Sequence, residues 1–395
     1  MSGLTSIELA TGILLGRVPG DPPPLPEARP GETPFEVLQR VCVPALERGT
    51  CFVSFSGGRD SSLVLAAAAS AARRNGLPLP VPVTNRFGAA GHTDESDWQE
   101  LVIAHLGIRD WVRLDLTDEL DVLGDLATRG LRRHGLLWPF NAHFHSPVFD
   151  LAASGSVLTG IGGDEALGSS RWARSMSVVT GVQRPRPRDM QRLALMCAPR
   201  PLRREVIARR APEPFTWLRP VAARQLARAW AADQAKEPAR LGVRLRHLQA
   251  RRALREGLRS LDLLAADASA SVAHPLLDPR FLGALAAAGG PQGWTDRGDA
   301  MRALFDGVLP ASLLARTSKA RFEGAFWGSR SRRFASTWSG ERADPQVIDS
   351  PALERVWAES EPDAHTYLLV QAAWLDCQDS ARLDHRPVHE AAIRT

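Results

Sequence analysis

Lysine is all but missing from this chain. Of 49 basic residues, only Lys236 and Lys319 are lysine; the rest are arginine. Arginine is a planar fork and lysine a compact point charge, so in this background each lysine asks for a reason. Cysteine is sparse as well. Cys42, Cys51, Cys197 and Cys377 are scattered and form no CxxC pair. That excludes a zinc-knuckle or disulfide framework and predicts buried free thiols. No uncharged apolar run reaches about 18 residues, so nothing is expected to span a membrane. The first 20 residues have no basic stretch ahead of the Ile13-Leu14-Leu15 cluster, which argues against a signal peptide. A cytoplasmic location is expected on these grounds. The GxxxxGK pattern of one common phosphate-binding loop is absent too.

What is present is a chain of 395 residues. That length suits two domains, or one large α/β domain with a helical extension. Its charge is unevenly spread. Residues 184–259 hold 19 Arg and one Lys against six acidic residues, a net of +14 in a chain of net +5, which leaves −9 elsewhere. Such a block suits an anionic partner, while solvated helix faces are the plainer reading.

Along the chain the pattern changes twice. Residues 1–48 read as a short helix, a Pro- and Gly-rich arm and a second helix. Residues 49–180 alternate: short apolar strands at 51–55, 79–84, 110–116 and 156–159 are separated by helical stretches, including an Ala-rich one at 61–73. This alternation implies an α/β fold, a doubly wound parallel sheet with helices on both faces. After about residue 166 no strand signal remains, so residues 181–395 are expected to be mainly helical. The helices beyond 166 and the arm before residue 35 are candidate lids.

The strongest chemical signal is the run Ser54-Phe55-Ser56-Gly57-Gly58-Arg59-Asp60-Ser61-Ser62, between a buried strand and the Ala-rich helix. Adjacent glycines permit a tight turn, and successive N–H groups with a helix N-terminus make an anion nest. Ser56, Ser61 and Ser62 add hydroxyl donors. Asp60 is out of place beside an anion unless a cation lies between them, as Mg²⁺ does among phosphate oxygens. The second constellation, Leu158-Thr159-Gly160-Ile161-Gly162-Gly163-Asp164-Glu165, again follows an apolar strand. On a parallel sheet both loops fall at the carboxyl edge, where Asp60 and Asp164 would share one Mg²⁺.

The first run carries the SGGxDS signature and resembles the PP-loop of the ATP pyrophosphatase family, whose members cleave ATP between the α and β phosphates. The second loop resembles that of asparagine synthetases, β-lactam synthetases and lasso-peptide cyclases. Two weaker matches follow. Residues 272–278 resemble the family's VRxPFLD segment, with Ala273 in place of its arginine and His274 beside it. Residues 316–322 resemble its RxKxxF segment, which puts Lys319 where the family's lysine contacts pyrophosphate. Together they cover roughly residues 49–328.

The resemblance implies an ATP-dependent ligase that adenylylates a carboxylate and passes the acyl group to an amine or ammonia. The substrate would be a small-molecule or peptide carboxylate with an amine donor, in specialised metabolism. ATP and Mg²⁺ are the implied cofactors. Lys319, Asp60 and Asp164 are the implied catalytic residues, with the two aspartates holding the metal. Ser54, Ser56, Gly57, Gly58, Asp60, Ser61, Ser62, Thr84, Gly160, Gly162 and Gly163 are the expected nucleotide-binding set.

Two departures matter. Asparagine synthetases carry an N-terminal glutaminase domain, and fewer than about 60 residues precede the loop here, so glutamine hydrolysis on this chain is not expected. Ile161 stands where those enzymes have Glu and β-lactam synthetases have Tyr. It accepts no proton, which leaves His143, His145 and Glu323 as candidate general bases. The alternatives are a PP-loop enzyme that modifies tRNA and a nucleotide-binding protein with a degenerate site. Nucleic acid is the less favoured partner, because no sulfur-transfer cysteine pair is present.

Overall fold

The computed structural model describes residues 3–87, 95–168, 170–210, 215–316, 323–340 and 343–384. Five strands form one sheet: β1 (Cys51–Ser54), β2 (Val81–Phe87), β3 (Val112–Leu116), β4 (Ser156–Leu158) and β5 (Ser271–Ala273). All neighbours are parallel, in the order β3-β2-β1-β4-β5. The chain lays β2 and β3 on one side of β1, then crosses to place β4 on the other.

Side chains alternate across the strands, so each face needs its own cover. Val53 and Leu158 join the core under helices Pro34–Leu46 and Arg59–Asn75, while Val83 and Val157 face the opposite core with Leu261 and Leu264. Helix Arg59–Asn75 is buried along most of its length: Leu63, Val64 and Leu65 fill the core near its start, and the buried alanines at 66–69, 71 and 72 let its later turns pack closely. Gly76, in the left-handed region at φ 65°, ends it. Helix Pro34–Leu46 starts with a capping box at Thr33 and Glu36.

A second core lies in the C-terminal half, around Trp217, Leu353 and Val370, where the only tyrosine, Tyr367, stacks on Trp327 with ring centroids 5.2 Å apart. Burying each such side chain contributes about 2–3 kcal/mol.

Two expectations are corrected. β5 lies at 271–273, in the stretch read as strandless, and its register with β4 (Val157↔Val272) extends the sheet by an edge strand. Three residues leading into His274-Pro275 are too few to show a period of two. Cys42 and Cys51 are buried, but Cys197 ends helix Pro187–Cys197 in solvent and Cys377 lies on the outer face of helix Tyr367–Asp384; all four are free thiols. The arm before residue 35 packs along helices Leu241–Leu248 and Pro279–Gly289: Arg246 Nε donates to the Pro22 carbonyl at 2.7 Å, and the Pro26 carbonyl lies against Gly283.

Among the described residues no helix is long and apolar enough to cross a membrane.

Candidate active site

The register Val53↔Leu158 brings the ends of β1 and β4 side by side, where the sheet reverses its strand order. In open parallel sheets this is the crevice that takes a ligand. Both glycine-rich loops leave the sheet there. Gly58 opens helix Arg59–Asn75 without a side-chain cap, so its first N–H groups face outward. Ser61 Oγ accepts from Ser56 N at 3.2 Å and donates to the Gly58 carbonyl at 3.2 Å, which folds the loop over its own helix start. Gln99 Nε2 donates to the Ser56 carbonyl at 3.2 Å and braces the loop from outside.

The glycines of the second loop serve loop-on-loop packing. A Cβ on Gly160 would lie 2.7 Å from the Ser61 nitrogen, and one on Gly163 would lie 2.1 Å from Asp60 Cγ. Only residues without side chains let the two turns approach this closely.

The result is a cavity of about 320 Å³ lined by Ser54, Ser56, Asp60 and Ser61 from the first loop and Gly160, Gly162 and Asp164 from the second. Phe144, His145, Ile161 and Glu165 complete its wall. Asp60 and Asp164 converge on one cation, the guanidinium of Arg297: Nη2 binds Asp60 Oδ1 and Nη1 binds Asp164 Oδ1. Burial raises the Asp60 carboxyl to about 6; Arg297 works against that rise, and the Asp164 charge adds to it. Burial also lowers the Arg59 guanidinium from its usual range, helped by the neighbouring charge of Arg297.

Arg297 is a partner of both aspartates that the motifs do not reveal. One local signal exists. It is the first residue of helix Arg297–Phe305, just after the Asp296 cap, where the helix dipole disfavours a cation. Its Nε is buried with no partner.

The two histidines of the 140–145 run part company. His143 is buried away from the cavity, with Nε2 2.8 Å from the Leu120 carbonyl. His145 lines the cavity, with Nδ1 3.1 Å from Ser54 Oγ. Behind it, His274 Nδ1 lies 2.7 Å from Thr159 Oγ1, while His274 Nε2 is buried without a partner. Burial lowers both His145 and His274 to about 4, and His274 pushes His145 in the same direction. Both rings are therefore neutral at pH 7. Glu323 begins the single turn Glu323–Phe326.

Of the expected nucleotide set, Gly57, Gly58 and Gly163 shape the loops without lining the cavity, and Thr84 and Ser62 face elsewhere. Thr84 is fully buried: its hydroxyl donates to the Phe55 carbonyl at 2.8 Å and accepts from Trp111 Nε1 at 3.0 Å. The reason is that β2 runs on to Phe87, which puts Thr84 mid-strand instead of at the strand end. Ser62 is also fully buried on the core side of its helix. Lys319 lies outside the described residues. The start of its segment is firmly placed, because Arg316 pairs with the buried Glu95 and stacks 4.9 Å over Trp98.

Residues 48–376 match the family model described as asparagine synthase. The chain belongs to the asparagine synthase family. No curated protein matches it. As an asparagine synthase family member it is an ATP-using, amide-forming ligase, and both loops of the cavity lie inside the matched region.

Proposed function

We propose that the protein adenylylates a substrate carboxylate, releasing pyrophosphate, and then transfers the acyl group to an amine. The observation that carries this reading is the convergence of Asp60 and Asp164 on a single positive charge beside an uncapped helix start. Arg297 stands in for a cation there, so the pair suits Mg²⁺, which takes one or two carboxylates and completes its shell with phosphate oxygens. Asp60 and Asp164 would hold it, and when bound it would offset charge on the triphosphate.

The loop N–H groups and the hydroxyls of Ser56 and Ser61 bind the β and γ phosphates. Arg297 yields its two carboxylates as nucleotide enters, and its freed guanidinium then faces the departing pyrophosphate. Lys319, following the anchored Arg316, neutralises the same developing charge. A substrate carboxylate oxygen attacks the α-phosphorus, the bond to the bridging oxygen breaks, and pyrophosphate leaves. The amine then attacks the acyl carbon and AMP departs.

Ile161 and Phe144 give the acyl end an apolar wall that excludes water. That wall holds no carboxylate at position 161 for an ammonium ion, so an amine carried by an organic substrate suits it better than free ammonia. A substrate of specialised metabolism fits this better than aspartate. His145, neutral and tied to Ser54, is the imidazole placed to hydrogen-bond the incoming amine.

The test is carboxylate-dependent exchange of labelled pyrophosphate into ATP, run over a panel of carboxylates with the whole chain. Exchange that vanishes in Asp164→Asn is expected. Nucleotide cleavage to ADP and phosphate, with no exchange for any carboxylate, would reject the reading.

A further inference from the structure

A second cavity, of about 430 Å³, shares no residue with the first. Four stretches distant in sequence build it. The arm gives Arg17 and Asp21, helix Arg200–Ala208 gives its first residue, Lys236 follows helix Pro220–Gln234, and helix Leu241–Leu248 gives Val243 and Arg246. Four permanent cations thus face one carboxylate.

Arg246 is pinned by its bond to the Pro22 carbonyl. Arg17, Arg200 and Lys236 make no ion pair with any described residue. The field is felt by His247 in the same wall. Its imidazole is lowered by burial first, then by Arg17, with Arg251 and Lys236 adding to the effect and Asp233 opposing it. Like charges brought together around a concavity, four against a single carboxylate, are held at a cost that a bound anion offsets. One of the chain's two lysines is spent here.

We propose that this cavity docks an acidic segment of a peptide or protein partner. The charge sets the sign of the ligand, and the rest of the wall sets its kind. Val243 is 53% exposed in the cavity, and Pro22 and Pro238 stand beside the cations in its wall. Apolar side chains interleaved with cations match a segment that mixes carboxylates with aliphatic residues. Single-stranded nucleic acid is served instead by aromatic platforms along an extended groove, and no Phe, Tyr or Trp lines this cavity.

The cavity also has a route to the first one. Helix Leu241–Leu248 carries Arg246 into it, while Arg244 Nη1, on the same helix, donates to the Glu165 carbonyl at 3.2 Å, and Glu165 lines the first cavity. A segment docked here is held by the helix that braces the active-site loop.

The experiment follows the fluorescence anisotropy of a labelled ten-residue Glu/Leu peptide as the whole chain is added, without nucleotide. Its outcome is therefore independent of the adenylylation reading. The Gln/Leu counterpart and a ten-nucleotide RNA serve as competing probes. The Glu peptide is expected to bind, to weaken on going from about 50 to about 300 mM salt, and to lose at least about tenfold in affinity in Lys236→Glu and Arg200→Glu. Arg192→Glu and Arg228→Glu, in the same basic block but outside the cavity, are expected to change it less than about threefold. Unfolding midpoints of all four variants serve as the fold control. Equal loss in cavity and remote variants would overturn the proposal, as would binding of the Gln peptide or tighter binding of RNA.

Discussion

Gly163 makes room for the carboxyl of Asp60: a methyl group at position 163 would sit 2.1 Å from Asp60 Cγ and 2.3 Å from its Oδ1. The second loop thus fixes the position of the first loop's acid. Gly163→Ala is expected to turn Asp60 out of the cavity, because its side chain can rotate while the backbone cannot. Pyrophosphate exchange should fall by about 100-fold or more, with a stability loss of about 1–3 kcal/mol. Exchange kinetics and urea unfolding measure the two effects.

Arg297 is expected to compete with metal for the two aspartates. In Arg297→Ala, Mn²⁺ binding without nucleotide should tighten by about tenfold. Exchange should nevertheless fall by about 100-fold, because the leaving pyrophosphate loses a cation. The titration belongs at pH 8, since Asp60 sits near 6 and must be ionised in both proteins. Metal affinity that stays the same would show that the guanidinium is not a competitor.

Lys319→Ala should abolish turnover and leave ATP affinity within about threefold, because its charge is needed only as pyrophosphate departs. Calorimetric ATP titration and exchange rates separate the two quantities. Equal losses in both would assign Lys319 to ground-state binding.

The buried imidazoles of His145 and His274 set a pH dependence of stability. His145 and His274 are held near 4, below the ordinary value of about 6.5 that they regain on unfolding. Between those limits the unfolded chain binds more protons than the folded one. Their contribution is therefore complete above about pH 6.5 and is lost as pH falls towards 4, with a slope of up to about 1.4 kcal/mol per pH unit for each ring. Urea unfolding at stepped pH should show this slope, and His274→Asn should reduce it.

The parallel sheet and both loops were legible in sequence because their information is local. Glycine pairs, an acid at a helix start and an apolar strand all fall within a dozen residues of one another. Arg297 was not, since it meets Asp60 across 237 positions, and its one local mark, a cation opening a helix, does not say what it pairs with. The 140–145 run showed two histidines as equals. Only the burial of His143 under Leu120 and the opening beside Ser54 tell them apart. Thr84 was misplaced because strand ends are the least certain boundary in a pattern of alternating residues. β5 was invisible because three residues take their strand identity from β4 and not from themselves.

That edge strand bears on how the chain is made. β4 leaves the ribosome at residue 158, but the segment that covers its open flank emerges only with residues 271–273. In between, a nascent chain would carry the two glycine-rich loops on a sheet with a bare edge, a surface prone to pairing with other chains. Completion of the sheet therefore waits on synthesis of the helices that lie between β4 and β5.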